Sequence, residues 1–205
     1  MVKKILFVGT LAVIGFLANC TTHPPENIDN ICAIFEERPD WYSDAKESEK
    51  RWGTPVYVQM AIIRQESSFQ HDARPNRTQL LGFIPWTRPS SALGYAQALD
   101  STWNLYKRQT GKGFASRSDF ADAIDFVGWY TNQSNQHCRI SKWDAELQYL
   151  AYHEGQAGFN RRTYMKKNWL RQTARRVGAR AKLYNSQLKQ CEQRIIKNQS
   201  WLHLF

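Results

Sequence analysis

One carboxyl group in this chain stands where a proton donor can be made. Glu66 falls near the end of the run Val56 to Phe69, in which Val56, Met60, Ile63 and, on the flank, Ile62 recur at helical spacing and predict a core helix. Burial against apolar neighbours disfavours the charged form of a carboxyl, and the negative end of a helix dipole pushes the same way. Both effects favour a glutamic acid that keeps its proton and can hand it on. The plain alternative is a solvated glutamate at a helix end, which is commoner for a glutamate taken at random. Two further segments set polar groups at helix edges, Gly94-Tyr95-Ala96-Gln97 and Ala151-Tyr152-His153-Glu154-Gly155. His137-Cys138 has no other Cys or His at ligand spacing, so a metal site is not expected.

The elements that must position these groups are helices. Thr54 is expected to cap the Glu66 helix, with Pro55 at its first position, where a missing N–H is tolerated. Before it, Asp40 to Arg51 reads as a helix stopped by Gly53. After it, Pro75, Gly82, Pro85 and Pro89 break the pattern between Gln70 and Leu93, predicting a long loop or a short hairpin around Leu80-Leu81-Gly82-Phe83-Ile84. Loops this long in a domain are commonly functional, and this one would lie over whatever Glu66 faces. Helices follow from Asp100 to Gln109, from Asp119 to Gln133 with Ser118 as cap, and from a Ser141/Asp144 capping box to Tyr152-His153-Glu154-Gly155. Asn168 can cap a last helix from Trp169 to about Arg194. No strong alternating run is present, so the fold is mostly α, with the loop or hairpin as an insert.

At 205 residues, with 42% apolar and 13% aromatic content, the chain suffices for one domain with a real core. Its start is expected to lie outside that core. Lys3 and Lys4 precede the apolar run Ile5 to Leu17, too short for an ordinary spanning helix, and Leu17-Ala18-Asn19-Cys20 follows. This resembles a bacterial lipoprotein signal in which Cys20 is acylated and becomes the mature N-terminus, although Asn19 departs from the small residue usual there. Position 21 is Thr and not Asp, which in such lipoproteins favours the outer membrane. The expected divisions are a signal peptide over 1–19, a tether and lead-in over 20–39, the helical domain over 40–194 and a tail over 195–205. Removing residues 1–19 lowers the formal charge from +10 to +8. A basic surface suits an anionic partner such as cell-wall peptides, lipid headgroups or nucleic acid. With Cys20 lipidated, Cys32, Cys138 and Cys191 remain, and a Cys32–Cys191 bridge would tie the ends of the domain together, as an exported location permits. The basic run from Arg161 to Lys182 alternates largely with apolar residues and reads first as a solvated helix face. No DNA-reading signature accompanies it, so a nucleic-acid partner is not expected.

Glu66-Ser67, Gly94-Tyr95-Ala96-Gln97 and Ala151-Tyr152-His153, in this order and spacing, resemble the catalytic domain of the soluble lytic transglycosylases, relatives of goose-type lysozyme. That family carries Glu-Ser at a helix end, then Gly-Leu-Met-Gln, then Ala-Tyr-Asn, and Ala98-Leu99-Asp100-Ser101-Thr102-Trp103 is similar to its continuation. The resemblance covers about 40–180 and implies a lysozyme-like fold acting on peptidoglycan glycan strands with no metal or organic cofactor; together with the lipoprotein-like signal it leads to the expectation of a lipid-anchored periplasmic monomer. By resemblance Glu66 is acid and then base, Ser67 orients a sugar substituent or Glu66, Gln97 bonds substrate near the scissile bond, and Tyr152 donates toward Glu66 or the acetamido group. Tyr95 replaces the usual Leu and His153 the usual Asn, which leaves subsite shape open along with the role of Glu154. Trp86, Trp103, Trp129 and Tyr130 are candidate sugar platforms, although each is more often core. Two other readings stay open: a hydrolytic muramidase pairing Glu66 with Glu154 or Asp72, and a wall-binding lipoprotein without turnover.

Overall fold

The computed structural model describes residues 23–77, 79–80, 84–85 and 88–202, with backbone alone at 79–80, 84–85 and 200–202. The signal segment, Cys20, Leu81, Phe83 and Trp86 lie outside the described residues. Among those described, the chain forms α1 (Ile31–Glu37), α2 (Pro39–Trp52), α3 (Val56–Ser67), β1 (Gln79–Leu80), β2 (Ile84–Pro85), α4 (Asp100–Thr110), α5 (Phe120–Cys138), α6 (Ala145–Asn160), a 3₁₀ turn (Thr163–Lys166) and α7 (Asn168–Leu202). The fold is mostly helical, the lysozyme-like arrangement expected. Two short antiparallel strands, pairing Gln79 with Pro85 and Leu80 with Ile84, form the hairpin insert.

α3 is the centre of the molecule. Val56, Val58, Met60, Ala61, Ile62 and Ile63 are all essentially without solvent contact. A helix apolar on every side must be enclosed on every side, and α2, α5, α6 and α7 enclose this one. Its polar interior residue is satisfied: Gln59 donates through Nε2 to the Thr54 carbonyl at 2.7 Å and accepts from Ser48 Oγ at 2.7 Å. Thr54 is not the expected cap. Pro55 takes that place with no side-chain bond, and the buried Thr54 hydroxyl pairs with Thr131 Oγ1 at 2.8 Å, tying the α2–α3 turn to α5. The α5 cap is Asp119 rather than Ser118, and its carboxylate accepts from the Asp122 amide at 3.0 Å.

α2 and α5 approach closely at Gly128, where an added Cβ would lie 2.4 Å from Ser48 Oγ and 2.7 Å from Trp52 Cδ1. Gly128→Ala is therefore expected to lower unfolding free energy by about 1–3 kcal/mol, the usual cost of overpacking, read by urea denaturation. The lead-in before α2 is structured. Asn30 Oδ1 accepts from the Cys32 and Ala33 amides and starts α1, whose Ile31, Ile34 and Phe35 are buried against α7. Cys32 and Cys191 are joined by a disulfide, and Ile195 continues the buried stripe of α7 past the expected end at Arg194. No helix among the described residues is long and apolar enough to cross a membrane.

Candidate active site

Glu66 occupies the last turn of α3, partly buried. The chain then reverses sharply, with Ser68 and Phe69 both at positive φ, 51° and 62°. Two successive non-glycine residues there are uncommon, and such outliers cluster at functional sites. Phe69 is held in place by burial against Trp41, 5.8 Å between ring centroids. Burial pushes the Glu66 carboxyl up to about 7, partly offset by a hydrogen bond from Tyr149. Arg64, two residues before it, is turned to Asp29, which accepts at 2.6 and 2.9 Å. Glu66 is thus an acid still substantially protonated near neutrality.

α6 supplies the facing wall. Tyr149 donates to Glu66. Tyr152, one turn later, feels the charge of Glu66 and packs edge-on to Tyr130 at 4.9 Å. Burial raises both phenols, so each stays a hydrogen-bond donor. The Tyr152 hydroxyl donates to the Ala96 carbonyl at 2.6 Å and so fixes the 94–97 turn beside the acid. Within that turn Gln97, itself at φ 47°, donates through Nε2 to the carbonyls of Ala73 and Gly94 at 2.8 and 2.9 Å. Gly94 has φ 75°, and a Cβ on it would sit 2.0 Å from the Arg117 carbonyl oxygen, so glycine is required. The chain after α3, the 94–97 turn and α6 are thereby stitched together. A cavity of about 250 Å³ opens beside them, lined by Gln97, Phe126, Tyr130, Tyr152, His153 and Glu154.

Other expected site residues are placed differently. Ser67 is buried, and its hydroxyl donates back to the Ile63 carbonyl at 3.3 Å, so it does not orient Glu66. Tyr95 is only 8% exposed and packs edge-on against Trp41 and Phe120, turned into the core and away from any substrate. Trp103 and Trp129 are buried in an aromatic cluster with Tyr106 and Phe126, and are not sugar platforms. His153 is exposed, with its ring edge-on to Trp169 at 5.1 Å. The Glu154 side chain is 3% exposed and saturated: it accepts from Lys167 Nζ at 2.7 Å, from Thr163 Oγ1, and pairs with His153 Nδ1 at 3.2 Å. Although burial alone would raise it, these partners hold its carboxyl below the ordinary glutamate value. Asp72 is largely exposed.

Tyr149 is the residue that sequence reasoning missed. It lies one turn before Tyr152 on the same face of α6, so helical spacing carried the signal. Its hydrogen bond favours ionised Glu66, so Tyr149→Phe is expected to raise the Glu66 pKa above about 7. The alkaline limb of the pH–activity profile should then move to higher pH.

A helical domain whose enclosed central helix ends on a neutral carboxylic acid, faced by tyrosines of a second helix, is of the lysozyme-like class. The chain belongs to the transglycosylase SLT domain family, whose model matches residues 8–191 and so extends beyond the segment that carries the motifs. Comparison with curated proteins finds no match. Domains of this family act on periplasmic peptidoglycan, in keeping with an exported chain and a transglycosylase-type enzyme.

Proposed function

We propose that the protein is a lytic transglycosylase that cleaves the β-1,4 bond between N-acetylmuramic acid and N-acetylglucosamine with one carboxyl group. Glu66 protonates the glycosidic oxygen as the bond to the muramic C1 breaks. The acetamido oxygen of the same sugar closes on C1. Glu66, now a carboxylate, takes the proton of the 6-hydroxyl as that oxygen displaces the acetamido group, leaving a 1,6-anhydro end. No water enters the balance. Tyr149 holds the acid, Tyr152, bonded to the Ala96 carbonyl and not to Glu66, holds the 94–97 turn, and the Oε1 of Gln97 is left to meet substrate while its amide nitrogen holds the same turn.

The observation that carries this reading is the contrast between two carboxyls: burial raises Glu66 to about 7, so that it keeps a proton to give near neutrality, whereas Glu154 is held below the ordinary glutamate value and fully engaged by partners. A hydrolase of the usual kind needs a second carboxylate free to act on water or on the sugar. Glu154 is committed elsewhere, and Asp72 lies out in solvent. We also assign residues 1–19 as a lipoprotein signal and Cys20 as the lipid-bearing residue, with anchoring at the outer membrane. The test is release of soluble muropeptides from purified sacculi. Tight binding without release would replace this reading with a wall-binding lipoprotein.

A further inference from the structure

His153 stands at the edge of the cavity that lies beside the 94–97 turn and α6. The His153 ring abuts Trp169, at the start of α7, and Trp169 remains 55% exposed despite that contact. Met165, on the 3₁₀ turn between α6 and α7, is 53% exposed. Large apolar side chains open to solvent beside a site commonly mark where a partner lies. Around them stand Arg161, Arg162 and Lys166, which are exposed and, among the described residues, form no ion pair. The corner is nevertheless rigidly mounted. Glu154 grips Lys167 and Thr163 from α6, and Phe159 stacks on Tyr164 at 5.3 Å. A fixed exposed indole costs little further ordering when a ligand settles on it.

We propose that Trp169, with His153 at its edge, is an outer platform for the peptidoglycan strand, taking the apolar face of a sugar ring beyond the cavity, while Arg161, Arg162 and Lys166 attract the strand's carboxylates. This inference rests on the function proposed above. Two observations select the occupant. The platform is continuous with the cavity through His153, and its positive charge complements an anionic polymer. Glu154 is then a positioning residue: the ionic clamp that shuts it out of catalysis holds the platform in place.

The experiment measures co-sedimentation of the Glu66→Gln protein with purified sacculi, so that binding is read without turnover. Adding Trp169→Ala should weaken binding about tenfold, the scale of a buried aromatic anchor. Adding Arg162→Ala and Lys166→Ala should weaken it severalfold and flatten its salt dependence. Phe114→Ala, a fully exposed ring elsewhere, should change nothing. Circular dichroism and urea denaturation check that each variant is folded. Equal binding with and without Trp169 would overturn the platform, as would a loss seen only with vesicles of anionic phospholipid. Neither result would touch the proposed reaction, which fails separately if the wild-type protein releases nothing from the same sacculi.

Discussion

Glu66→Gln is expected to lower release of soluble muropeptides from sacculi by about 10²–10⁴-fold, the usual contribution of a general acid. Glutamine keeps the shape and can still accept from Tyr149, but it has no proton to give and no carboxylate to take one back. The same substitution has a second, separable consequence. The carboxyl has a folded value of about 7 against an ordinary 4.5. Below pH 4.5 it is protonated whether the chain is folded or not, and burial brings no electrostatic penalty. As pH rises through 7 the folded state must either keep a proton that the unfolded state has lost or bury a charge. Stability is therefore lost between pH 4.5 and about 7, by up to about 3.5 kcal/mol at ~1.4 kcal/mol per pH unit. The glutamine variant lacks this loss. Urea denaturation at pH 4.5 and pH 8 should show the variant gaining on the wild type at the higher pH while nearly inactive at both. Asp44, also raised by burial, to about 6, is common to both proteins and drops out of the comparison. Equal pH dependence in the two would mean that Glu66 is not held in an apolar setting.

Cys32→Ser with Cys191→Ser is expected to have the largest effect on stability. The bridge closes a segment of 159 residues between α1 and the far part of α7. Loop-closure entropy places its contribution near the top of the observed range, about 4–5 kcal/mol. α1 is a short helix, so most of its attachment comes from Ile31, Ile34 and Phe35 against α7. Without the bridge α1 should be the first part to open. Hydrogen exchange should then rise in residues 31–37 before it rises in α3. The non-reducible variant and the wild type under reductant should match, both retaining activity at low temperature and losing it on warming.

The acid and its helix are legible in the sequence because an apolar run at helical spacing that ends in a glutamate sets that carboxyl at the edge of the core. The three motifs are legible in order, but what each residue does is not. Tyr95 reads like Gln97 along the chain, yet packing turns it against Trp41 and Phe120. Ser67 adjoins Glu66, but in the last turn of a helix its hydroxyl finds its own backbone first. Glu154 reads along the chain as either an exposed cap residue or a second carboxylate, whereas Lys167 and Thr163, brought back by the turn before α7, saturate it. Such pairings across a turn leave no periodic trace. Gly155 reads as the end of α6, and its φ of 72° does kink the chain there, but helical geometry resumes through Asn160. α1 escapes notice because it is only seven residues long, although Asn30 followed by Ile31, Ile34 and Phe35 carries both cap and spacing.

One neutral carboxyl that cleaves the glycan without water leaves a chemical mark on every product. Mass spectrometry of the fragments released from purified sacculi reads that mark. The expected products are muropeptides ending in 1,6-anhydro-N-acetylmuramic acid, each lighter by one water than a hydrolysed fragment. Reducing muramic ends carrying that water would contradict the single-carboxyl reaction and would point to a second catalytic group that Glu66, Tyr149 and Tyr152 do not supply.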